Sequence, residues 1–179
     1  WDEVEEVTFE CEPGTLSEKK LEVIKNFGVT RLSLGIENFD DHVLEINGRA
    51  HRSGEVFRAY EFARSLGFEQ VNVDLIAGML EETEENWKDS VRQAIELSPD
   101  SVTVYQMELP YNTQFSKQFL AGKLDAPLAD WARKREWHNY AIEQLETAGF
   151  TVSSAYTMVR GDKQCDFVYR DALWHGADM

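Results

Sequence analysis

In RLSLGIE, residues 31–37, Leu32, Leu34 and Ile36 alternate with Ser33, Gly35 and Glu37, the period of a β-strand with two unlike faces. The alternation recurs in VTFECEP, with Thr8, Glu10 and Glu12 as the polar positions, and in VNVDLIAG, with Asn72 and Asp74. SVTVYQMEL is less regular, though Gln106 and Glu108 share one parity near its end. Between these stretches the apolar period lengthens to that of a helix. Three times such a helical pattern closes on a glycine (Gly28, Gly67 or Gly149), an apolar residue follows, and a strand begins. The pattern predicts strands over 6–12, 31–37, 70–77, 101–108 and 150–157, and helices over 17–27, 40–46, 53–66, 83–97 and 129–148. Ser17, Ser53 and Thr83 fall where N-caps belong, and Pro99 lies just beyond the fourth helix. Trp87, Val91, Ala94, Ile95 and Leu97 form a stripe along 83–97, so that helix is expected to pack on a sheet. Segment 110–128, with Pro110, Gly122 and Pro127, reads as a loop carrying a short helix.

Strands alternating with helices imply an α/β fold with a parallel sheet, either doubly wound or an arc of a barrel. A sheet covered by helices on both faces should be apolar on both. Here one face is apolar and the other carries polar groups toward the strands' C-terminal ends. That suits a (β/α) barrel with helices outside and a working cavity inside, at the end where such sites collect. The expected organisation is barrel over 1–128 and a helix–strand extension over 129–179.

The polar parity gathers carboxylates: Glu10 and Glu12 end the first strand, Glu37 the second, with Asp74 and Glu108 near the ends of the third and fourth. One such residue is ordinarily solvated or caps the next helix. Several on neighbouring strand tips repel one another unless a cation, a proton or hydrogen-bond donors intervene. Arg49 is a partner within the chain; a ligand with positive charge and hydroxyls is another.

Composition narrows the classes. The 33 acidic and 18 basic residues give a net charge of −15, which opposes nucleic-acid binding. No apolar run is long enough for a membrane span and no signal peptide is visible, so a cytoplasmic protein is expected. Cys11 and Cys165 form no CxxC pair, and Cys11 shares the apolar parity of Val7 and Phe9. His42, His51, His138 and His175 lack metal-ligand spacing; His51, beside Arg49 in NGRAH, is the hardest to set aside. The first residue is Trp1 and the chain stops on LWHGADM without a cap, so an internal piece of a longer protein is expected.

FECEPGTL, GVTRLSLGIENFDDHVLEINGRAH, ARSLGFEQVNVDLIAGM and PDSVTVYQMELPYNT resemble, in order and spacing, the coproporphyrinogen III oxidase-like branch of radical S-adenosylmethionine proteins. That branch includes the oxygen-independent oxidase, a haem chaperone and haem-utilisation enzymes. The resemblance implies a partial TIM-like (β/α)6 barrel, with about four parallel barrel strands, outer helices and a C-terminal αβ unit. It implies S-adenosylmethionine contacts by Glu10, Glu37, Arg49 and Asp74, completed by the backbone around Ile76 and Glu108. It further implies a porphyrin-type substrate, radical decarboxylation or related haem chemistry, and a monomeric intact protein. The branch's CxxxCxxC, which holds a [4Fe-4S] cluster through thiolates, is absent from this sequence, so the chain alone is expected to be inactive. Glu37 stands where well-known members carry glutamine, and AGML replaces the usual YGLP. VYRDALW stands where the chaperone has a His-Asn pair, which separates an oxidase-like enzyme from a haem carrier. A barrel enzyme holding a divalent metal through Glu10, Glu37 and Asp74 is the reading outside this branch, and Arg49 opposes it.

Overall fold

The computed structural model describes residues 3–109, 111–122, 128–161 and 167–176. Pro110, Pro127 and Cys165 lie outside the described residues, as do the last three of the LWHGADM end. Strands β1 (Thr8–Cys11), β2 (Arg31–Glu37), β3 (Gln70–Ala77) and β4 (Ser101–Gln106) run parallel in that order. Helices α1 (Glu18–Asn26), α3 (Ser53–Ser65) and α4 (Glu84–Leu97) connect them, with a short α2 (Asp41–Ile46) before α3. Beyond β4 come α5 (Gln114–Leu120), α6 (Trp131–Thr147), β5 (Phe150–Val152), β6 (Thr157–Arg160) and α7 (Val168–Trp174). The six-stranded sheet has the order β1-β2-β3-β4-β6-β5. This is a partial TIM-like barrel.

The two strand faces separate as the alternation requires. Leu32, Leu34, Ile36, Val71, Val73, Leu75, Val102 and Val104 are fully buried beneath the helices. Each such side chain contributes about 1.5–3 kcal/mol when removed from water. Trp87 of α4 stacks on Trp137 of α6 at 6.5 Å, and its Nε1 donates to the Trp137 carbonyl at 2.8 Å. The opposite face is largely polar, with Asn72 as its hub. Asn72 Nδ2 donates to Ser33 Oγ (2.9 Å) and Asp74 Oδ1 (2.8 Å), while its carbonyl accepts from Ser101 Oγ (2.7 Å) and Thr103 Oγ1 (3.2 Å). One amide thereby ties three strands together across that face.

Ser17 and Thr83 are N-caps as expected, accepting from the amides of Lys20 and Asn86. Ser53 is one residue too late: Arg52 occupies the cap position of α3, and Glu55 accepts from its amide at 2.9 Å. The predicted strand over 150–157 is instead the antiparallel hairpin β5–β6, with β6 pairing against β4. Ser154 Oγ accepts from the amides of Tyr156 (3.3 Å) and Thr157 (3.1 Å), and these local bonds reverse the chain where the apolar pattern alone read straight through. Strand β4 stops at Gln106, two residues before Glu108, and its inward parity is Ser101, Thr103 and Tyr105 rather than Gln106 and Glu108.

At the N-terminal ends of the strands, buried Asp100 accepts from Arg64 Nη1 at 2.5 Å and from the Val71 amide at 2.8 Å. Arg64 is itself fixed by Tyr60 Oη at 2.9 Å. This clip joins α3, β3 and the start of β4. Asp100→Ala leaves a desolvated guanidinium and amide behind and should cost about 3 kcal/mol in urea unfolding of the intact protein. A loss below about 1 kcal/mol would show the clip to be dispensable.

Candidate functional site

Glu10, Cys11 and Glu12 at the end of β1, Gly35 and Glu37 of β2, Asp74 and Ile76 of β3, Tyr105 of β4 and Arg49 after α2 line one open hollow of about 420 Å³. Five of the six residues singled out from sequence therefore meet. Glu108 does not: it is exposed beyond β4, and its carboxylate acts on Lys134 instead. Lys134 Nζ donates to the Met107 carbonyl at 2.6 Å. A Cβ on Gly78 would lie 2.7 Å from Lys134 Cγ, so the AGML turn leaves its glycine position to this lysine.

Glu37 explains the glycine on its own face. The β2–β3 register shifts between Gly35 and Glu37, and Glu37 adopts φ 67°, left-handed and uncommon for a side-chain-bearing residue. Its carboxylate returns over Gly35, where an added Cβ would stand 2.9 Å from Oε1. Arg49 Nη2 reaches that oxygen at 3.3 Å. Arg49 is aimed by the end of α2, where Gly48 takes φ 73° and the Arg49 amide donates to the Leu44 carbonyl at 2.9 Å.

His51 is completely buried and fastens this corner. Its Nε2 lies 2.9 Å from the Ile36 carbonyl and its Nδ1 3.4 Å from Glu12 Oε1. A Cβ on Gly14 would come within 2.9 Å of His51 Cβ, so EPG and GRAH interlock only because that residue is glycine. On the other side, buried Asn38 donates to Glu82 Oε1 at 2.6 Å, and Glu82 accepts from the amides of Gly78 (2.6 Å) and Met79 (3.2 Å). The turns after β2 and β3 are thus cross-linked behind the hollow.

Asp74 accepts from Ser33 Oγ at 2.8 Å as well as from Asn72. Burial pushes its pKa up to about 6; the bonds from Ser33, Asn72 and Thr103 oppose this, and Glu10 adds to it. Burial likewise pushes Glu37 up to about 7, against the pull of Arg49 and with the repulsion of Asp74, Glu12 and Glu10. Four carboxylates and one guanidinium face a shared space. Such a set is short of positive charge and hydrogen-bond donors, and suits a ligand that brings both.

Cys11 borders the hollow while also packing on the core, with its thiol pushed up to about 12 by burial and by Glu10. Tyr105 escaped the sequence reading because the parity of β4 was taken from Gln106 and Glu108; counting from Ser101 and Thr103 would have found it. His42 is exposed and lies 2.7 Å from Glu81, on the rim of the α2 and β3 turns. Among the described residues no group of three or more His, Cys, Asp or Glu is placed to hold a metal ion. No described helix is long and apolar enough to cross a membrane.

An arc of parallel strands with helices outside and an acidic, partly desolvated hollow at the strands' C-terminal ends is the architecture of a partial TIM-like barrel. The model of the Radical SAM superfamily matches residues 2–94, and the chain belongs to that superfamily. The chain is 31% identical to the heme chaperone HemW of Bacillus subtilis over 82% of its own length and 38% of the relative's. It is 27% identical to the oxygen-independent coproporphyrinogen III oxidase of Salmonella typhimurium over 95% of its length and 36% of that protein's. The structure of coproporphyrinogen III oxidase (HemN) from Escherichia coli shares the fold, with a TM-score of 0.76 and 24% identity, covering 93% of this chain and 38% of that one. The chain thus spans well under half the length of these relatives.

Two outcomes follow from the Glu37 geometry. Gly35→Ala should fold, since the atom it meets is the free end of a side chain, yet displace the carboxylate from Arg49. A mutant crystal structure with the 3.3 Å pair unchanged would contradict this. Between about pH 4.5 and 7 the folded protein retains a proton on Glu37 that the unfolded chain has lost, so stability falls as pH rises through that window. Unfolding free energies should decline less steeply there for Glu37→Gln, and parallel curves would disprove the raised pKa.

Proposed function

We propose that the hollow is the S-adenosylmethionine pocket of a radical S-adenosylmethionine enzyme that acts on a porphyrin-type substrate. The observation that carries this is the meeting of Glu10, Glu37, Arg49, Asp74 and Ile76, drawn from four separate stretches of chain, in one cavity. The cofactor's groups answer what the site lacks. Its sulfonium and ammonium supply positive charge beside Glu37, Asp74 and Glu10, and its ribose hydroxyls supply donors. Arg49 suits the methionyl carboxylate through charge-assisted bonds. In this reading these residues hold and orient the cofactor.

The [4Fe-4S] cluster does not fit this chain. The sequence has two cysteines and no CxxxCxxC, so in the intact protein the thiolates would come from elsewhere. With a cluster held elsewhere in the intact protein, S-adenosylmethionine would supply radical hydrogen-abstraction chemistry, and the share of Glu10, Glu37, Arg49 and Asp74 would be to bind and orient it. The porphyrin-type substrate follows from the names of the relatives, a coproporphyrinogen III oxidase and a heme chaperone. Carriage of haem without turnover is the second reading, favoured by the 31% identity to the chaperone. In VYRDALW, Arg170 lies over the rings of Phe167 and Trp174 and donates to Ser153 Oγ at 2.7 Å, so the segment that replaces the chaperone's His-Asn pair is structurally engaged.

The intact protein, reduced and given a tetrapyrrole substrate, should form 5′-deoxyadenosine; retention of haem without that product would favour the carrier. Asp74→Ala should weaken S-adenosylmethionine binding by at least about tenfold, the value of one lost hydrogen bond to a charged group, with iron content unchanged. Unchanged affinity by calorimetry would remove Asp74 from the pocket.

A further inference from the structure

An aromatic pair stands on the rim of the hollow. Tyr105, at the end of β4, is 46% exposed and lines the hollow, and Tyr156, in the β5–β6 turn, is 48% exposed. Their rings stack at 5.9 Å with 29° between planes. Tyr156 is not loose. Its carbonyl accepts from the Val104 amide at 2.7 Å and its amide donates to Ser154 Oγ at 3.3 Å. The ring of His138, from α6, meets it edge-on at 6.0 Å and 82°. Two half-exposed tyrosines held by three elements form a fixed, flat ledge leading out of the acidic cavity.

We propose that Tyr105 and Tyr156 form the stacking surface for the tetrapyrrole substrate, with Tyr156 as a specificity-determining contact outside the nucleoside pocket. The proposal rests on the functional reading above. A hollow of about 420 Å³ has room for one ligand of nucleoside size. A macrocycle bound at the same time must therefore lie beyond it, over the rim. Tyr156 is absent from the lining of the hollow but continuous with it through Tyr105. The flat conjugated ring of a porphyrin or haem gains from offset stacking on an immobilised aromatic pair, which loses little entropy on binding. The acidic cavity repels the carboxylate arms of a porphyrin, so the apolar ledge holds the ring while the arms turn away from Glu10 and Glu37. Burial and the neighbouring Asp74, Glu10 and Glu37 raise the pKa of Tyr105, which stays a neutral hydrogen-bond donor beside them.

The test uses the intact protein, with protoporphyrin IX titrated by fluorescence and S-adenosylmethionine by calorimetry. Tyr156→Ala should weaken protoporphyrin binding about fivefold to tenfold and leave S-adenosylmethionine affinity within about twofold. Tyr156→Phe should match wild type, because the ring rather than the hydroxyl is at work. If the alanine variant does not fold, Tyr156→Leu, which keeps apolar bulk without a ring, carries the same expectation. Unchanged protoporphyrin affinity in the alanine or leucine variant would overturn the ledge. So would an equal loss for both ligands, which would give the ring to the nucleoside. Wild-type protein that binds S-adenosylmethionine but no protoporphyrin would also sink the ledge while sparing the cofactor pocket. Binding of neither would instead remove the functional reading on which it stands.

Discussion

The site depends on carboxylates buried with too little charge to balance them. Asp74 and Glu37 are each 8% exposed, and their neighbours on the same cavity are Glu10, Glu12 and Arg49. A desolvated carboxylate with one partial counterion is tolerated only where the rest of the structure holds it there. Here the holding is visible. Asn72 and Ser33 grip Asp74, the bulge and Gly35 make room for Glu37, and buried His51 holds the Ile36 carbonyl just before it. The raised pKa values of about 6 and about 7 express the imbalance that remains.

The apolar half of the sheet serves that arrangement. Because Leu34, Val73 and Val102 are buried under the helices, the polar parity of the same strands must face inward. The parallel order then brings the strand tips side by side, at the end where the βα turns supply Arg49 and the EPG segment. The opposite end is tied by the Asp100–Arg64 clip.

Much of this was legible in the sequence. Strict alternation in β2 and β3 gave both faces, and Glu10, Glu37 and Asp74 followed from parity, while Ile76 came only from the family resemblance and Arg49 from the GRAH motif after α2. The misreadings share a cause: places where local hydrogen bonding or chain direction competes with periodicity. Ser154 turns a strand into a hairpin through its own hydroxyl, which no apolar pattern records. Glu108 was placed by parity with Gln106, but β4 had already ended and its inward face belonged to Ser101, Thr103 and Tyr105. The roles of Gly14 and Gly35 depend on atoms from segments distant along the chain or folded back over it, and only coordinates show what a Cβ would meet.

The most direct test of the electrostatic claim is calorimetry of S-adenosylmethionine binding to the intact protein near pH 6.5, in two buffers of unlike ionisation enthalpy. A cation entering this cavity should drive Glu37 and Asp74 toward their ionised forms, so protons should be released and the apparent enthalpy should differ between buffers. Binding with the same enthalpy in both buffers would mean that the buried carboxylates do not meet the ligand's charge, and the assignment of the hollow would fail.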